Sequence, residues 1–176
     1  MILDTLISSK TRVKLLIKFF LNPESRAYLR SLESEFGEST NSIRVELNRF
    51  EEAGLLEAES QGNRKIFKAR RSHPLFKELQ GIILKHTGLD QIIANVVERL
   101  GDLDRVYVTG DLAKGLDSSV IDLIFVGNPD KNYLLRLIDK SEKLSGRKIR
   151  FLIYSIEEAK KQEFKGEEYL LIWNER

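Results

Sequence analysis

Residues 38–54, ESTNSIRVELNRFEEAG, followed by residues 55–67, LLEAESQGNRKIF, decide how the first half of the chain is read. Ser39 is a good N-cap, and Ile43, Leu47 and Phe50 recur at i, i+4 and i+7, which predicts a helix with one buried side. The other side carries Asn41, Val45 and Asn48, flanked by Arg44 and Arg49, and meets no acid until Glu51 and Glu52 in the last turn. Gly54 stops the helix. Two short strands, Leu55–Glu59 and Arg64–Ala69, are then expected to form a hairpin, with Gln61, Gly62 and Asn63 supplying the turn.

Upstream of this stretch, Ser9 to Leu21 predicts a first helix with Val13, Leu16, Ile17 and Phe20 on one face, ended by Asn22 and Pro23. Ser25 is placed to cap a second helix through Phe36, with Leu29, Leu32 and Phe36 inward and Gly37 closing it. Three helices followed by a hairpin make a winged helix-turn-helix, in which the third helix enters the major groove. The residues expected to meet DNA there are Thr40, Asn41, Ser42, Arg44, Val45, Asn48 and Arg49. At the hairpin tip, Arg64 and Lys65 are placed to reach the backbone or minor groove. Arg offers two donors to guanine, Asn pairs with adenine, and hydroxyls reach phosphates or bases.

Charge supports a polyanionic partner. Residues 1–86 hold 15 Lys and Arg against 11 Asp and Glu, whereas residues 87–176 hold 14 against 16. Between Ser60 and Lys77 lie Arg64, Lys65, Lys68, Arg70, Arg71 and Lys77 with no acid, the kind of local stripe that attracts phosphate. The chain has no cysteine, so disulfides and thiolate metal sites are excluded. His73 and His86 have no carboxylate cluster beside them, and no metal site or cofactor is expected. No apolar run approaches the length of a membrane helix and MILDTLISSK lacks a signal-peptide core, so a cytoplasmic location is expected.

Ser72 to His86 predicts a further helix, with Pro74 in its first turn. Leu75, Leu79, Ile82 and Ile83 form an apolar stripe suited to self-association. Domain boundaries are set at 1–87, the winged domain with its linker helix, and 88–176. In the second domain Leu89 to Leu100 is a helix, Arg105–Thr109 and Val120–Val126 are strands, and a helix runs from Asn128-Pro129-Asp130 to about Leu144. Lys148–Tyr154 is a third strand. SIEEAKKQEF (155–164) opens with a capping box, Ser155 and Glu158. Residues 167–173 are left as helix or strand, and Trp173 is expected in the core. The fold class is α+β, with a small α/β second domain.

The segments SKTRVKLLIKFFLNP (9–23), NSIRVELNRFEEAGLL (41–56), GNRKIFKARRSHPLF (62–76) and VYVTGDLAKGLDSSVIDLIFVG (106–127) carry a resemblance. From Lys10 to about Trp173 the chain resembles prokaryotic regulators that join a winged helix-turn-helix to a minimal nucleotidyltransferase-like domain of the DNA polymerase beta superfamily. The resemblance implies double-stranded DNA as partner and a homodimer. Working nucleotidyltransferases have Gly-Ser in the glycine loop and two Asp two positions apart on the next strand, sharing one face so as to hold a cation. Here Gly110 is kept, Asp111 replaces Ser, Asp122 is kept, and Val120 stands at the partner position. Where a third acid is expected, Lys148 and Arg150 share a strand face. Catalysis is therefore not expected. Gly110, Asp111, Lys114, Asp122, Lys148 and Arg150 are instead the candidate relic of a pocket for a nucleotide or small anion. The alternatives are an active nucleotidyltransferase and a protein-interaction module acting as a pairing partner.

Overall fold

The computed structural model describes residues 2–166 and 168–175 and divides into two compact units, with the division between His86 and Thr87. The chain is α+β in both.

The first unit opens with α1 (Ile2–Leu6) and α2 (Lys10–Leu16), the latter capped by the Ser9 hydroxyl and continued by a π-helical turn over Ile17–Leu21. β1 (Ala27–Tyr28), α3 (Leu29–Phe36) and α4 (Thr40–Glu52) follow, then the hairpin of β2 (Leu56–Gln61) and β3 (Arg64–Ala69), and α5 (Phe76–Thr87). Leu15, Phe19, Phe20, Leu32, Ile43, Leu47 and Leu56 are withdrawn from solvent and make up the core of this unit. The Ser39 reading holds: its hydroxyl accepts from Ser42 N, and α4 buries Ile43, Leu47 and Phe50. The same face also buries Glu46, which the apolar periodicity does not anticipate.

Two expectations are corrected here. The helix anticipated from Ser25 begins only at Leu29, because Ala27 and Tyr28 pair with Phe67 and Ile66 of β3 as a third antiparallel strand, in the order β1-β3-β2. Ser25 is fully buried instead, and Ser31 Oγ closes the start of α3 by binding the Tyr28 N–H and carbonyl at 3.2 and 2.8 Å. Likewise α5 starts at Phe76. Before it, His73 N–H binds the Arg70 carbonyl and the Leu75 N–H binds His73 Nδ1, turns that hold the chain out of helix through Pro74. Phe76 and Ile83 are buried, whereas Leu75 and Ile82 of the expected stripe are exposed.

The second unit begins with one continuous helix, α6 (Leu89–Ile92) and α7 (Glu98–Leu100) joined by a π-helical stretch over Ile93–Val97. Then come β4 (Leu103–Thr109), α8 (Gly110–Ala113), β5 (Val120–Gly127), α9 (Lys131–Ser145), β6 (Lys148–Tyr154), α10 (Ile156–Lys161) and β7 (Leu170–Asn174). The sheet has four strands in the order β6-β5-β4-β7. β5 and β6 are parallel, as the α9 crossover requires, and the other pairs are antiparallel. Strand alternation buries Val106, Val108, Leu123, Phe125 and Ile149 on one face. On the other, Tyr107, Ile124 and Val126 pack with Ala159, Tyr154, Phe164 and Tyr169. The helix expected over 155–164 ends at Lys161, and the last element is a strand. Trp173 lies on it opposite Val106 and is half-buried. Glu167, within the residues left open, lies outside the described ones.

Candidate nucleic-acid interface

Pairing β1 with β3 has a consequence beyond the sheet: it brings the start of α3 beside the hairpin tip, with α4 across from both. Between them lies a concavity of about 790 Å³. α4 contributes Arg44, Leu47 and Asn48, the tip contributes Asn63, Arg64, Lys65 and Phe67, and Tyr28, Leu29 and Arg30 complete the lining. Leu47 and Phe67 are buried and form an apolar floor beneath cationic walls.

The pairing of charges across this unit separates the concavity from its surroundings. Elsewhere most cations are matched, Lys10 and Lys77 excepted among the described residues: Arg12 forks onto the Glu46 carboxylate at 2.9 and 3.2 Å, Lys14 meets Glu38, Lys18 meets Glu35, and Arg26 meets Glu59. Lys68 binds Glu57 and Glu59, and Arg71 binds Glu24. In the concavity, Arg30, Arg44 and Arg64 have no carboxylate partner among the described residues. Arg64 instead lies over the Tyr28 ring, its guanidinium carbon 4.8 Å from the centroid. Lys65 is the engaged member, 2.6 Å from Glu51 and 5.2 Å above the Phe67 ring.

Of the residues singled out in the sequence, Arg44, Asn48, Arg64 and Lys65 meet in this one place. Asn41 and Val45 stand on the exposed outer side of α4, with Val45 40% exposed, and Thr40 is half-buried at its start. Ser42 shares a hydrogen bond with Ser39 at 2.8 Å. Arg49 sits on the opposite flank and donates to Glu46 at 3.2 Å. Burial pushes the Glu46 carboxyl up, but hydrogen bonds from Arg12 and Ser9 and the charges of Arg12 and Arg49 outweigh it and hold the group below its ordinary value. Tyr28 and Arg30 were not foreseen. Their signal is the β1 pairing, two residues long and 38 to 40 positions from its partners.

In the second unit, Gly110 turns the chain from β4 into α8 at φ +69, a conformation suited to glycine. A Cβ there would stand 2.6 Å from Asp122 Oδ2. Asp122 pairs across the sheet with Thr109 on one side and Arg150 on the other. Arg150 takes both carboxylate oxygens, Nε to Oδ1 at 2.7 Å and Nη2 to Oδ2 at 2.9 Å. That hydrogen bonding, the Asp122 charge and, after them, the Asp111 charge raise the Arg150 pKa further. Lys148 is drawn to Glu142 at 2.9 Å, and a hydrogen bond from Ile149 N–H, with Lys148 after it, keeps the Glu142 carboxyl low. Asp122 and Arg150 are thus brought together, with Asp111 near enough to act on the guanidinium, while Lys148 is committed elsewhere. A divalent cation does not fit these donors: the carboxylate facing the Gly110 turn has both oxygens on a guanidinium, and Val120 offers none. No helix among the described residues is long and apolar enough to cross a membrane.

No family model matches the chain, and no curated protein matches it. Among solved structures, it is similar to one from Sulfolobus solfataricus described as a "putative nucleotidyltransferase", at 22% identity and a TM-score of 0.33, over 51% of this chain and 79% of that one. A protein from Archaeoglobus fulgidus is similar at 18% identity and a TM-score of 0.37, over 52% of this chain and 96% of that one. Each likeness spans about half of this chain, and at these scores neither assigns an architecture or an activity.

Proposed function

We propose that the protein is a sequence-specific regulator of transcription that binds double-stranded DNA through a winged helix-turn-helix formed by its first unit. α4 enters the major groove and the β2–β3 tip rests on the flanking backbone. The observation that carries this reading is the convergence of Arg30, Arg44 and Arg64 on one concavity, none of them with a carboxylate partner among the described residues. Guanidiniums held together without counter-ions repel one another, and a phosphodiester backbone relieves that repulsion while accepting bidentate hydrogen bonds. Arg44 and Asn48, on the helix wall, are assigned to base edges, where Arg recognises guanine and Asn adenine.

The second unit serves this regulator as a nucleotidyltransferase-like relic that has exchanged metal chemistry for an internal ion pair, acting in dimerisation or in sensing a small anion. The Asp122–Arg150 fork supports this, since phosphoryl transfer needs carboxylates free to hold its ions. The test of the DNA reading is fluorescence anisotropy with duplex from upstream of the protein's own gene against scrambled duplex. The wild type prefers the first, and Arg44→Ala erodes that preference by about 1–3 kcal/mol. Equal binding of both duplexes by the wild type removes the claim of sequence specificity.

A further inference from the structure

Resting on that reading, we infer that Arg30 and Arg64 form a clamp for one phosphodiester segment of the duplex, and that Tyr28 is the positioning residue that holds Arg64 in it. The β1–β3 ladder sets Tyr28 opposite Ile66, so Arg64, two residues along β3, is its diagonal neighbour on the same side of the sheet. At that spacing the ring lies under the guanidinium, 4.8 Å from centroid to central carbon. An exposed arginine on a hairpin tip otherwise samples many rotamers, and ordering it on binding opposes affinity. The ring supplies a flat, partly desolvated platform that keeps the charge in place and leaves the edge N–H groups for a phosphate.

Arg30 completes the clamp from the start of α3, beside the tip. It is the second residue of α3, exposed, and directed to the concavity by the same ladder that fixes Tyr28, with Arg44 beyond it on α4. The two tip cations differ. Lys65 is already neutralised by Glu51, so the tip contributes its net attraction through Arg64. The ligand class is therefore the sugar-phosphate backbone, which fixes register without reading sequence. Arg30 and Arg64 belong to affinity, whereas Arg44 belongs to discrimination.

The test is anisotropy over a salt series with the full chain, on upstream and scrambled duplexes. Arg30→Ala and Arg64→Ala each weaken both duplexes alike and each lower the magnitude of the salt slope by about 0.9. Tyr28→Phe, which keeps the ring, binds as the wild type does. Tyr28→Leu reproduces the loss of Arg64→Ala, and the double variant is no weaker than Arg64→Ala alone, because both changes remove one contact. Full additivity in the double variant, or wild-type binding by Tyr28→Leu beside a weakened Arg64→Ala, overturns the role of Tyr28. Should Tyr28→Leu melt far below the wild type, Arg30→Ala decides: an unchanged slope overturns the clamp. Binding of neither duplex by the wild type defeats the DNA reading itself, a result distinct from the others.

Discussion

Glu46 shows how one side chain in this protein serves both the fold and the placing of the candidate interface. It lies on the buried side of α4 with its side chain 7% exposed, receives the Arg12 fork from α2, and takes a hydrogen bond from Arg49. It therefore ties α2 to α4 and holds Arg49 on one flank, leaving Arg44 to the other. Its folded pKa is below the ordinary 4.5, so its charge stabilises the fold above that pH, and the contribution is lost as pH falls through the folded value. Glu46→Gln is expected to destabilise the protein by about 1–3 kcal/mol at pH 7. The gap to wild type should narrow on acidification below about pH 4.5. Urea melts at neutral and acidic pH check both statements, and a gap independent of pH contradicts the charge assignment. Nothing local in the sequence marks Glu46, because its partner Arg12 lies 34 positions away.

At the scale of elements, the sequence is legible wherever both partners of an interaction lie within one turn. The Ser155 and Glu158 capping box forms as read: the Ser155 hydroxyl accepts from Glu158 N, and the carboxylate reaches back to Ser155 N at 2.8 Å. Ser155→Ala is expected to cost about 1 kcal/mol in thermal or urea unfolding. A loss near zero would mean that tertiary packing alone holds α10. The hairpin is legible in place but not in its bounds: Gly62 takes φ +60 at the first turn position, but Gln61, expected in the turn, ends β2 and pairs with Arg64 across a two-residue loop. β1 was illegible. Ala27 and Tyr28 are strand only because β3 has an edge to receive them, and Ser25 offered a local alternative that the ladder outcompeted. The start of α3 and the membership of Tyr28 and Arg30 in the concavity follow from that one pairing. In the second unit, alternation placed Asp122 and Arg150 on definable faces, but their meeting needed the β5–β6 register, which no local signal carries.

For the molecule as a whole, the two units divide the charge and, in this account, the labour. The first has an excess of four cations, 15 against 11, and the second an excess of two acids, 16 against 14. Incubation with labelled nucleoside triphosphates and Mg²⁺ is expected to leave protein and nucleic acid unlabelled. Label that appears and is lost in Asp122→Ala would restore the nucleotidyltransferase alternative, and a stoichiometric protein partner on purification would favour the pairing-module alternative. The proposed DNA binding is best probed with salt, because each phosphate contact releases counter-ions. The measurement is the slope of log affinity against log salt for a duplex, comparing wild type with Arg30, Arg44 and Arg64 all replaced by alanine. Expected are tight binding at low salt, a steep negative slope, and a slope shallower by up to about 0.9 for each arginine that meets a phosphate in the triple variant. Absence of wild-type binding at low salt, or a triple variant with the wild-type slope, would contradict that proposal.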